Sequence, residues 1–182
     1  EHLRHCKVTY DAVYTGTLNR QIDTEALLDL HDSPDPIQDP RLNEIRYYDL
    51  IAAMEKQFGL KHPLEGTGFI NHFLNTFTKW KSGELKDIPE TWGNYENRVW
   101  TIMEDMRHSG QNVLAVTSGG VIGMAAAHAL KLDDRSLVKM LLEGMNTGVT
   151  RFQYLHGEYH LMQFNNLSHL ENADRVYART YY

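Results

Sequence analysis

Apolar and polar positions along the chain change their period several times, and each change marks an element. Residues 7–14 alternate Val8, Tyr10, Ala12 and Tyr14 against Thr9, Asp11 and Val13, which predicts a strand. Thr15-Gly16-Thr17 then turns the chain and offers a helix N-cap. Leu18, Ile22, Ala26 and Leu30 recur at helical spacing, so a helix is expected over 18–30. Residues 32–40 hold three of the five prolines and predict a loop. Residues 41–57 start as a loop and become helical around 48–58. Phe69, His72 or Phe73, Phe77 and Trp80 give residues 66–80 an amphipathic helical stripe. After a polar connection over 81–89, residues 92–107 carry Tyr95, Val99, Ile102, Met103 and Met106 on one helical side.

Residues 113–116 are wholly apolar, the pattern of a central strand buried on both faces. Ser118-Gly119-Gly120 turns that strand directly into a helix expected over 121–130, and 134–143 predicts another helix. Residues 149–155 and 159–165 alternate in period two around His156-Gly157-Glu158, which predicts a hairpin. No internal repeat or low-complexity tract appears. The order strand–helix, helices, strand–helix, hairpin describes one α/β layered domain spanning residues 1–182.

Composition narrows the functions open to such a domain. The 182 residues are 42% hydrophobic and 23% charged, an ordinary globular mix. A net charge of −6 argues against non-specific binding to nucleic acid or to an anionic membrane. A few arginines in a pocket can nevertheless hold an anion. The one cysteine, Cys6, permits no internal disulfide, reads as a small half-buried apolar residue, and favours a reducing, cytoplasmic setting. The longest weakly polar run, 113–130, is broken by Thr117-Ser118-Gly119-Gly120 and contains His128, so it predicts no membrane span. The opening Glu-His-Leu-Arg-His has no Met and runs straight into a strand-like segment, which suggests a processed or truncated start.

In an open α/β sheet, ligands bind beyond the carboxyl ends of strands, where loops lead into helix N-termini. Two junctions qualify here: Tyr14 to Arg20, and Val116 to Gly120. Each aims backbone N–H groups and a positive helix end at one region, which suits a phosphate or carboxylate. Arg20 lies one turn into its helix, and its guanidinium fork could reach an anion there. Taken alone, Arg20 reads as a solvated helix residue. Ser118 stands at the sharper junction. A nucleophile elbow would need Gly-x-Ser-x-Gly, but Val116 occupies the first glycine position. A dinucleotide fingerprint is matched poorly by Ser118, Gly120 and Gly123. A small phosphate-facing turn is the third reading, and local sequence does not choose among them. His156 and His160 are four apart, but the hairpin removes the helix that would make them metal ligands. His62, His72, His108 and His128 show no partner spacing.

Four blocks, taken in order, resemble the histidine phosphatase (phosphoglycerate mutase-like) superfamily. DAVYTGTLNRQIDT (11–24) is similar to the segment in which a strand and turn precede Leu-x-Arg and a Thr one turn on. RLNEIRY (41–47) resembles the Leu-x-Glu segment. NVLAVTSGGVIGMAAAHAL (112–130) resembles the strand, His-Gly and helix segment, with Ser-Gly-Gly in place of the histidine motif, as in one bacterial branch. NTGVTRF, FNN and HL, between Asn146 and Leu170, resemble the closing hairpin.

The resemblance implies a three-layer α/β/α phosphoglycerate mutase-like domain with a helical insertion at about 61–92. It implies a phosphomonoester hydrolase, or less readily a mutase, acting on a small phosphorylated substrate through a phosphohistidine. Arg20 would be the second phosphate-binding arginine and Glu44 the proton donor; without the resemblance, Glu44 is a solvated loop charge. Ser118 and Gly119 would bind phosphoryl oxygen. No cofactor or metal is implied, because arginines neutralise the charge and histidine does the displacement. The Arg-His-Gly motif of the first strand is not found in these residues, and the Arg4-His5 pair reads as a coincidence. The first strand is therefore expected upstream of Glu1. Two other classes stay open: a catalytically weak or inactive phospholigand-binding protein of the same fold, and a serine hydrolase using Ser118 with Asp133 or Asp134 and a hairpin histidine. The Phe69/Phe73/Phe77/Trp80 stripe is expected to be core, a lid helix over the site, or a homo-oligomer contact.

Overall fold

The computed structural model describes residues 3, 8–30, 32–63 and 67–181. Cys6 and the Arg4-His5 pair lie outside the described residues, as does the expected helix start at Gly66.

Strand β1 (Ala12–Thr15) is followed by helix α1 (Asn19–Leu28), a two-residue strand β2 (Ile37–Gln38) and a 3-10 turn (Pro40–Leu42). Helices α2 (Tyr47–Phe58), α3 (Thr67–Lys81) and α4 (Trp92–Arg107) come next. They lead to strand β3 (Val113–Val116), helices α5 (Gly119–Leu130) and α6 (Asp134–Glu143), and the hairpin β4 (Val149–Leu155) and β5 (Glu158–Asn166). The α/β fold class expected from the alternation is present. β1 is flanked in parallel by β2 and β3, with Thr15 opposite both Gln38 and Val116. This register brings the carboxyl ends of all three strands to one edge of the sheet. The loops leaving that edge are 16–18, 39–46 and 117–118.

Local chemistry accounts for the sharpest boundaries. The Thr91 hydroxyl accepts the Asn94 N–H at the start of α4, and the Asp133 carboxylate accepts the Ser136 N–H at the start of α6. His156 and Gly157, both at positive φ, close the hairpin in a two-residue turn of the kind that matches strand twist.

Several expectations change. The first strand covers only Ala12–Thr15 and leaves out Val8 and Tyr10. β2 falls inside the expected loop, paired through Tyr14 and Thr15. The 18–30 stripe does not face the core: Gln21 is the buried position of α1, Ala26 is exposed and Leu27 is 81% exposed. α1 lies against β1 and β3, and its buried Gln21 bonds the Leu42 carbonyl and Ser118 Oγ in the loops beyond their carboxyl ends. The fifth helix begins at Gly119, so both glycines lie in its first turn. β3 is buried only at Val116; among the described residues it pairs with β1 alone, which leaves its outer edge without a strand neighbour.

The core runs from β1 through Leu42, Leu50 and Met54 to Phe73, Phe77, Trp80, Trp92, Tyr95 and Ile102. Burying side chains of this size contributes roughly 1.5–3 kcal/mol each. The α3 stripe is therefore core at Phe73, Phe77 and Trp80. Among the described residues no helix is long and apolar enough to cross a membrane.

Candidate active site

The carboxyl edge of the sheet collects most of the buried polar side chains. β1 ends in Thr15, which is 1% exposed, and Gly16 N–H donates to the Val116 carbonyl, so the two junctions are tied together by backbone. Thr17 and Asn43 then bond each other twice, Thr17 N–H to Asn43 Oδ1 and Asn43 Nδ2 to Thr17 Oγ1, both at 2.7 Å. The first junction and the loop bearing Glu44 are thereby held side by side. Thr117 Oγ1 donates to the Leu42 carbonyl at 2.7 Å, which ties the second junction to the same loop.

Three of the residues singled out from sequence meet here. Arg20 is exposed, and its Nη2 lies 3.5 Å from Ser118 Oγ. Ser118, 6% exposed, sits in extended backbone (φ −115°, ψ 165°) immediately before α5. Glu44 Oε1 accepts from the Ile45 N–H at 2.8 Å and from the Gly120 N–H at 3.1 Å. The carboxylate thus sits on the first turn of α5, where the helix end favours negative charge. Gly120 makes that approach possible: a Cβ there would fall 2.2 Å from Glu44 Oε1. Burial pushes the Glu44 carboxyl above its ordinary range; the Ile45 and Gly120 N–H groups, then Arg20 and Arg98, oppose the rise. Gly119, the fourth candidate, opens α5 between Ser118 and Gly120.

Two residues shape the site without any sequence signal. Arg98 donates through Nη1 to the Arg41 and Asn43 carbonyls at 2.7 and 2.8 Å, and its Nε meets Glu90 at 2.7 Å. It clamps the loop that carries Glu44 from below. Gln21 is 2% exposed and bonds both the Leu42 carbonyl and Ser118 Oγ. Neither could be found from periodicity, since a buried polar residue on a helix looks like a surface one until its partners are known.

The residues of the serine-hydrolase reading do not assemble. Asp133 caps α6, Asp134 is bonded to Lys81 at 2.6 Å, and the side-chain partners of Ser118 among the described residues, Gln21 and Arg20, are not bases. His62 and His72, without sequence spacing, do meet, Nδ1 to Nδ1 at 3.3 Å, under the edge of Phe69. Among the described residues no group of three or more His, Cys, Asp or Glu is set to hold a metal ion. A cleft of about 450 Å³ lies between α2 and residues 87–89; Arg20, Glu44 and Ser118 do not line it.

A family model described as the histidine phosphatase superfamily (branch 1) matches residues 1–167. Two solved structures from Entamoeba histolytica share the fold. One is a mutant phosphoserine phosphatase in complex with phosphoserine, 20% identical, covering 88% of this chain and 76% of its own, with a TM-score of 0.57. The other is phosphoserine phosphatase in complex with 3-phosphoglyceric acid, 19% identical, covering 92% and 79%, with a TM-score of 0.58. Among curated proteins none matches the chain.

Proposed function

The chain belongs to the histidine phosphatase superfamily, and from that premise we propose that it is the phosphate-handling domain of a phosphomonoester hydrolase working through a phosphohistidine. The observation that carries this reading is the meeting of Arg20, Ser118 and Glu44 at the carboxyl edge of one parallel sheet. In this proposal Arg20, Ser118 and Gly119 hold phosphoryl oxygens. A histidine on a strand alongside the outer edge of β3 attacks phosphorus, and the P–O ester bond breaks. Glu44 gives its proton to the leaving oxygen. Water then attacks the phosphohistidine, Glu44 takes the water's proton, and inorganic phosphate departs. The burial that raises the Glu44 carboxyl supports this role, because a proton donor must hold its proton near working pH.

The substrate class is a small phosphorylated metabolite. Phosphoserine and 3-phosphoglycerate, the ligands of the two similar structures, are sensible first trials. The test uses the protein as encoded in its source, assayed for phosphate release from aryl phosphates, sugar phosphates and these two esters between acid and neutral pH. Release that is lost on replacing Arg20 or Glu44 supports the proposal. No release at any pH sinks it, and phosphate binding without turnover favours the non-catalytic reading.

A further inference from the structure

Behind Ser118, the hydrogen bonds of Gln21 fix the orientation of its amide. The Gln21 amide can sit only one way round. Its Nε2 donates to the Leu42 carbonyl and to Ser118 Oγ, both at 2.9 Å, and its Oε1 accepts the Leu18 N–H at 3.3 Å. Turned over, the amide would set oxygen against the Leu42 carbonyl and NH₂ against the Leu18 N–H. Gly16 leaves room for it: a Cβ there would lie 1.9 Å from Gln21 Oε1 and 2.5 Å from Cδ.

The consequence falls on Ser118. Gln21 presents only a donor to it, so Ser118 Oγ must accept. Arg20 Nη2, at 3.5 Å, is also a donor and nothing else. Both lone-pair directions of the hydroxyl are thus engaged from the protein side. Its hydrogen has no acceptor among the described residues. Accepting two hydrogen bonds polarises an O–H group and strengthens the bond it donates.

We infer that Gln21 is a positioning residue that holds the Ser118 hydroxyl as an obligate donor toward a phosphoryl oxygen. The inference rests on the phosphate-site reading above and extends it. At the place where the family carries a histidine ring, this chain uses a serine whose single hydrogen is aimed by a glutamine one helical position beyond Arg20. Among the described residues no base accepts from Ser118, which suits the hydroxyl to donating rather than to attacking.

The test measures inorganic phosphate affinity by calorimetry on the intact protein, alongside kcat and KM for an aryl phosphate. Gln21→Leu should weaken phosphate binding ~10-fold, the scale of one hydrogen bond to a charged group. In a Ser118→Ala background the same change should do almost nothing more, because Gln21 acts through that hydroxyl. Gln21→Glu is the sharper probe. Its ionised carboxylate would accept the Ser118 hydrogen and turn it from the ligand, weakening binding by roughly 100-fold in mildly alkaline buffer. That deficit, taken as a ratio to wild type, should shrink as acid protonates the new carboxyl and lets it donate again. Melting curves accompany each variant. Should one Gln21 variant fail to fold, Gln21→Met removes the same donor while keeping the length of the side chain. Equal losses in both backgrounds, or a Gln21→Glu deficit indifferent to pH, overturn the inference while the phosphate site stands. A wild-type protein that neither binds nor releases phosphate removes the site reading and this inference with it.

Discussion

At the loops 15–20, 41–44 and 117–120, the buried side chains Thr15, Gln21 and Ser118 are polar, set beside the apolar Leu42, and each of the three has its hydrogen-bond partner. Between α3 and α4 the pattern is inverted. Phe73 stacks on Phe77 at 4.8 Å between ring centres, Trp80 on Tyr95 at 5.2 Å, and Trp92 meets Phe77, Trp80 and Tyr95 edge-on. There the Tyr47 hydroxyl and Trp92 Nε1 are buried with no hydrogen-bond partner among the described residues. The first layer is specified by donors and acceptors, the second chiefly by volume and ring geometry, with Trp80 Nε1 donating to the Glu90 carbonyl and the Tyr95 hydroxyl to the Gly120 carbonyl at its margins. Changing one atom type should disturb the first layer, whereas removing volume should disturb the second.

The largest expected effects separate the two layers cleanly. Glu44→Gln keeps the shape of the site and removes its proton donor. Phosphate release should fall ~10²–10⁴-fold, the usual contribution of a positioned acid, with a melting temperature close to wild type. Phe77→Ala, at a ring 2% exposed, should cost about 3–5 kcal/mol of stability in a denaturant titration. Whatever fraction stays folded should keep the wild-type pH profile. If Glu44→Gln unfolds the protein, or Phe77→Ala shifts that profile, the two layers are not separate in the way their contacts suggest. A smaller effect comes from Tyr47→Phe, which deletes a buried hydroxyl that bonds none of the described residues. Removing such a group should be neutral or stabilise by up to about 1 kcal/mol. A clear loss would mean that the hydroxyl has a partner in solution.

This division also decides what could be read from the chain. The expected bounds of α4, α6 and β3 match the structure to the residue; Thr91 and Asp133 cap the two helices, and Val-Leu-Ala-Val is short and wholly apolar. The strand β2 was not, since Ile37 and Gln38 are both exposed and only their backbone pairs with β1. Arg20 and Ser118 were legible as candidates at the two strand-to-helix junctions and Glu44 only through its family-like motif, while the role expected of each came from the resemblance. Gln21 and Arg98 escaped because the bonds that place them in the site, to Ser118 and to the Asn43 carbonyl, span 97 and 55 residues. A hydrogen bond across such a separation leaves no period in the sequence. The His62–His72 pair escaped for the same reason, ten residues apart and joined only by the fold.

The smallest effect tests whether the polar layer holds its charge at a cost. Glu44 is raised above its ordinary carboxylate value chiefly by burial. A carboxyl raised on folding keeps its proton to higher pH in the native state than in the unfolded chain. Within that window the native state binds more protons, so stability falls as pH rises through it. Asp11 and Asp39 run the other way. The Asn112 and Gln111 N–H groups lower the first and the Arg41 guanidinium lowers the second, and their stabilisation is lost as pH falls. Whole-protein acid stability therefore mixes both signs, and only a difference isolates Glu44. Glu44→Gln should melt slightly above wild type at neutral pH, and the gap should close as acidification protonates Glu44 in both states. Differential scanning calorimetry across that range reads the sign directly. A gap that opens in acid instead would mean that Arg20, Arg98 and the two N–H groups outweigh burial. Glu44 would then enter any reaction as a settled carboxylate, better suited to receiving a proton than to giving one.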